Sequence, residues 1–264
     1  TTGSVNRVLA WGHARVIENL MLHRDRMDPP PVRAISDQFA QDKNTVAKAL
    51  SEITQATSPA VSWQFAAVGG FLDAVERRAG SLTDFLKQAS PVLGGTGPRL
   101  ETLFAQARRT AVEARAGESD RLAAVRLLGR GISGQGIDLE VLGLLLRPET
   151  PRSLQRAALG NLSRSKDPRT ADVLLSGWRG FGPELRAEVL NVLLSRKEWA
   201  TRTVAAIESG GIAAAQVSPS HQQSLLGSGD LQIRQSAQRV FAAKLDRGKV
   251  LQDYRPASDL PGDS

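Results

Sequence analysis

The run whose spacing best matches a recognised chemistry is Gly129-Arg130-Gly131-Ile132-Ser133-Gly134. Glycines at this spacing let backbone N–H groups approach a pyrophosphate at the start of a helix. That chemistry also needs a strand before the first glycine and a parallel sheet around it. Here Leu122, Val125 and Leu128 precede it at helical spacing, so the run is expected to be a loop between two helices. Metal and acid–base chemistry have equally little to build on. The three histidines are His13, His23 and His221. His13 and His23 fall on one expected helix, where ten residues rise about 15 Å, too far to share an ion. Asp25 and Asp28 are flanked by Arg24 and Arg26 and followed by prolines, which predicts a solvated loop rather than a working carboxylate pair. There are no cysteines, so disulfides, thiolate metal sites and covalent haem attachment within this chain are excluded. No serine sits in a GxSxG nucleophile elbow. The expectation is a chain with no catalytic, cofactor-binding or metal-binding residues of its own.

Binding chemistry has better candidates. Tryptophan and arginine dominate the energetics of protein interfaces. Among Trp11, Trp63, Trp178 and Trp199, the last two lie beside basic residues, in Trp178-Arg179 and in Arg196-Lys197-Glu198-Trp199. Trp178, Arg179, Arg196 and Trp199 are therefore the candidate partner-binding residues. The competing reading is that the rings fill space between packed helices.

The elements that would carry these residues are helical. The chain has 264 residues, 41% of them hydrophobic, enough for a large core. Leu139, Leu142, Leu145 and Leu146 form one apolar stripe, and Leu154, Ala158 and Leu162 the next. Leu185, Val189, Val192 and Leu193 follow the same rule, as do Ile233, Ala237, Val240 and Phe241. Asp167-Pro168, Thr150-Pro151, Ser58-Pro59 and Ser218-Pro219 each place a capping oxygen before a proline, a helix-start signature, with Gly182-Pro183 and Gly97-Pro98 as weaker versions. Residues 5–22, 36–53, 59–79, 81–89 and 98–116 read as further helices. Similar helix openings recur: Gln155-Arg156-Ala157-Ala158-Leu159 and Arg186-Ala187-Glu188-Val189-Leu190 lie about 31 residues apart with one helix between them. This predicts an all-α fold, a HEAT-like or armadillo-like α-α superhelix of antiparallel helix pairs. Diverged repeats are expected over 1–117 and regular repeats over 118–246. A linker towards a further domain is expected over 247–264. Together they would form one continuous solenoid.

The formal net charge is +7, which admits a nucleic-acid or anionic partner. The arginines are spread along the chain near Glu and Asp, which fits solvated helix faces. No stretch of 18 apolar residues offers a membrane span, and no signal peptide is recognised at the N-terminus, so the chain reads as a mature or excised piece.

From Ser119 onward the sequence resembles the HEAT-repeat region of large exported proteins of planctomycetes and their relatives, a family described as membrane-bound dehydrogenases or haem-binding proteins. The residues that carry the likeness run from Asp138-Leu139-Glu140-Val141-Leu142 through Leu145-Leu146-Arg147-Pro148-Glu149-Thr150-Pro151. They continue in Leu154-Gln155-Arg156-Ala157-Ala158-Leu159, Asp167-Pro168-Arg169, Leu193-Leu194-Ser195-Arg196 with Trp199, and Ala206-Ile207-Glu208-Ser209-Gly210. Ile233-Arg234 and Lys249-Val250-Leu251-Gln252-Asp253-Tyr254 complete the set. In that family a β-propeller precedes the helical region, and a cytochrome c domain with a CxxCH motif follows it. The resemblance implies a helical scaffold whose partners are those neighbouring domains or another protein, in the periplasm or at the cell surface, with no cofactor in this segment. The other reading is a basic DNA-binding solenoid similar to HEAT-like DNA glycosylases, which need a carboxylate and aromatic rings facing a positive groove. No specific nucleic acid is expected on the first reading.

Overall fold

The computed structural model describes residues 50–51, 53–55, 62–78, 82–88 and 95–241. Trp11, His13, His23, Asp25, Asp28, the cap at Ser58-Pro59 and the expected linker 247–264 lie outside the described residues. Within them all regular structure is helical, with no strand. The expectation of an all-α chain is met at that level. The helices are α1 (Ser62–Arg78), α2 (Leu82–Gln88), α3 (Thr96–Val112), α4 (Glu118–Val125), α5 (Gln135–Leu144), α6 (Arg152–Arg164), α7 (Thr170–Ser176), a single 3₁₀ turn (Trp178–Gly180), α8 (Pro183–Leu193), α9 (Lys197–Glu208), a second 3₁₀ turn (Ala214–Gln216) and α10 (Pro219–Leu226). Residues 231–241 are again helical (α11).

Local chemistry sets the helix boundaries. Ser218 caps α10, its Oγ accepting the His221 N–H, and Pro219 takes the first helical position. Pro183 does the same in α8 after Gly182. At Asp167-Pro168 the structure departs from expectation. The Asp167 carboxylate accepts the Arg169 N–H at 2.9 Å and closes a local turn, so α7 begins only at Thr170. Pro151 likewise lies ahead of α6, where its carbonyl accepts the N–H groups of Leu154 and Gln155. Gly97-Pro98 sits inside the first turn of α3, which starts after Gly95 in the left-handed region (φ 73°). The spacing of Leu122, Val125 and Leu128 predicts a helix reaching Leu128. Instead the helix stops at Val125 and tightens through Leu127 N–H to Ala124 O and Leu128 N–H to Val125 O. Gly129, at φ 80°, then turns the chain, a conformation that penalises any residue with a Cβ.

The described residues gather into two compact units. One runs through Leu146 and includes Thr150–Arg164; the other comprises Arg147–Glu149 and the chain from Ser165 onward. In the first unit the apolar stripes meet as their spacing requires: Phe65, Val68 and Leu72 of α1, Leu100, Phe104, Ala107 and Ala111 of α3, Ala124 and Val125 of α4, Leu142 of α5, and Leu154, Ala158 and Leu162 of α6 are all buried. Helix α4 packs against α1, α3 and α6, while α5 packs against α3 and α6. In the second unit α7 packs against both α8 and α9, and α8 against α9. Leu174, Val189, Leu193 and Val204 are buried there.

Leu162 and Leu193 are fully buried, one in each unit. Replacing either with Ala removes about 2–5 kcal/mol of stability, through the lost transfer energy and the cavity left behind. Chemical unfolding followed by circular dichroism measures this loss; a change under about 1 kcal/mol in both variants would contradict the packing described.

Candidate functional site

The glycine run 129–134 joins α4 to α5, and its polar chemistry is already satisfied from within. Asp138, in the first turns of α5, has a fully buried side chain. Its Oδ1 accepts the Arg108 Nε–H from α3 at 2.6 Å, and its Oδ2 accepts the Gly129 N–H at 2.9 Å. Arg108 also donates through Nη2 to the Ser133 carbonyl at 3.1 Å, and Ser133 Oγ bonds Glu101 at 2.6 Å. A carboxylate of the chain itself thus holds the amide of Gly129, the first glycine of a dinucleotide fingerprint. The other glycines have packing reasons. A Cβ on Gly131 would press on the Phe104 ring at 3.3 Å, and one on Gly134 (φ 74°) would run into the Arg108 guanidinium. The loop is bound on a further side by Arg130, which is nearly buried and pairs with Asp73 at 2.8 Å and Glu76 at 2.6 Å, both on α1. Asn161 of α6 completes the arrangement. Its Nδ2 donates to the Leu128 carbonyl and to that of Val125, which also accepts the Leu128 N–H, and its Oδ1 accepts from Arg164. Sequence reading missed Asp138, Arg108 and Asn161 as a set. The available signal was an acid and an amide lying within apolar stripes, next to Leu139 and Leu162.

The four partner-binding candidates lie in the second unit. Trp178 is buried and its Nε1–H donates to Gln216 Oε1 at 2.9 Å. Arg186 lies over its ring, 5.6 Å from the centroid, and bonds the carbonyls of Trp178 and Arg179. Trp199 is also buried, with the Arg196 guanidinium stacked 4.1 Å from the ring centroid. Arg196 Nη1 donates to the Ser165 carbonyl at 2.6 Å. The two tryptophan rings therefore work inside the fold, and Arg179 is the exposed member of the set. The structure brings Trp178 and Arg179 together in the 3₁₀ turn, and Arg196 and Trp199 at the start of α9.

His221 makes a serine–histidine–asparagine chain that the sequence did not suggest. Asn191 Oδ1 lies 2.8 Å from Nε2, and Ser218 Oγ lies 2.7 Å from Nδ1. An amide oxygen only accepts, so Nε2 carries the proton and Nδ1 accepts from the serine. Ser218 at the same time accepts the His221 N–H, so the group reads as a helix cap tied to α8 through Asn191. Partial burial holds the His221 pKa below its ordinary value. Among the described residues, no group of three or more His, Asp or Glu side chains is placed to hold a metal ion.

Two outcomes follow from these geometries. Asp138→Ala leaves the Arg108 guanidinium and the Gly129 N–H without their buried acceptor, and costs about 3–5 kcal/mol. Replacing both Arg108 and Asp138 with apolar residues of similar size costs less than the single change. Chemical denaturation of the three proteins measures the order. His221 gives a pH effect. Its lowered pKa means the unfolded chain binds a proton that the folded chain refuses, so its contribution is intact above the ordinary histidine value of about 6.5 and is lost as pH falls below it. His221→Gln therefore flattens the loss of stability between about pH 7.5 and 5.5. Equal slopes in the two proteins would show that His221 does not contribute.

Comparison with protein-family models, curated proteins and solved structures gave no match to this chain.

Proposed function

We propose that this chain is a HEAT-like α-α superhelix acting as a non-catalytic scaffold, the helical middle module of a larger exported redox protein. Two structural patterns support the repeat reading. Helices touch not only their neighbour but the helix two further on, as α3 does α5, α4 does α6 and α7 does α9. Stacked helix pairs produce this pattern, because one pair alone cannot hide its apolar face. Polar bridges also recur near the sequence period of about 31 residues. Arg108 reaches Asp138, Glu101 reaches Ser133 and Asn161 reaches Leu128 in the first unit. Arg196 reaches Ser165, Arg202 reaches Asp172, His221 reaches Asn191 and Arg239 reaches Glu208 in the second. Each of these spans 30–33 residues.

The observation that carries the scaffold reading is the use made of the polar groups. The carboxylate, guanidinium and amide side chains at the glycine loop bridge one helix to another, and in the second unit Arg186 ties α8 to the Trp178 turn while Arg196 ties the start of α9 to Ser165. The redox setting rests on the resemblance from Ser119 onward. It assigns propeller and cytochrome neighbours as the partners and a periplasmic or cell-surface location. On this reading 1–117 are diverged repeats, 118–246 regular ones and 247–264 the linker. The gene sequence beyond Ser264 tests it: a CxxCH haem-attachment motif is expected soon after, and its absence overturns the parentage while leaving the fold untouched.

The basic charge supports the second reading, a nucleic-acid-binding solenoid. Against it, Arg186 and Arg196 donate to backbone carbonyls rather than standing free for phosphates. The scaffold reading expects only non-specific duplex binding, with Kd no tighter than about 10⁻⁶ M at physiological salt. Fluorescence anisotropy with a labelled duplex across a salt series measures it. Submicromolar affinity that survives physiological salt, and that falls in Arg186→Glu and Arg196→Glu, would favour the nucleic-acid reading.

A further inference from the structure

We draw no further inference here: the strongest candidate, the solvent-facing apolar stripe of α5 formed by Ile137, Val141 and Leu144, carries none because nothing in the structure shows what covers it.

Discussion

The first unit depends on one buried carboxylate. Asp138 has no exposed side-chain surface, and taking such a charge out of water costs several kcal/mol unless it is paired and hydrogen-bonded. Both of its oxygens are engaged, one by Arg108 and one by the Gly129 amide. The pairing sets other features of the fold. It fixes the position of α5 on α3, places Gly129 where a left-handed turn is needed, and holds Arg108 so close to Gly134 that a side chain there has no room. An apolar residue at position 138 would remove the desolvation cost but would orient nothing. The carboxylate fixes register between helices whose apolar contacts alone would tolerate sliding, because hydrophobic attraction is non-directional.

The stripes of α5, α6, α8 and α11 were readable because the 3.6-residue period of a helix puts apolar residues on one face whatever packs there. Their inward residues are the buried ones, among them Leu154, Ala158, Leu162, Val189 and Leu193. Helix ends were less legible. Ser218-Pro219 starts a helix and Asp167-Pro168 does not, although both place a capping oxygen before proline. The difference lies in which backbone N–H donates to the capping oxygen. Ser218 serves the third residue on, inside the helix, and Asp167 the second, which closes a separate turn. Nothing in the two dipeptides decides between these outcomes.

The site residues divide in the same way. The glycine run was legible as a loop, because a helix-period pattern before it removed the strand that a nucleotide site requires. What the loop binds instead was not legible, since its partners Arg108, Asp73 and Glu76 come from helices earlier in the chain. Sequence spacing reports contacts within a helix. Contacts between elements, such as Arg108 to Asp138 and Arg130 to Asp73, join residues 30 and 57 positions apart, and no local spacing marks them. The link from Asn161 to Leu128 spans 33 residues and that from Arg196 to Ser165 spans 31, with different chemistry.

That difference in chemistry bears on what the chain offers a partner. Trp178 and Trp199 are the residue types that anchor interfaces, yet each ring is buried with an arginine above it. Such a stack covers the ring and turns guanidinium donors towards backbone carbonyls. Arg179 is placed differently. Its carbonyl is held by Arg186 while its side chain is exposed in the middle of a short 3₁₀ turn. The backbone there is fixed and the charge is outward. A partner engaging the second unit at this point would therefore meet a positioned cation rather than an aromatic anchor. Such contacts contribute more to orientation and association rate than to affinity.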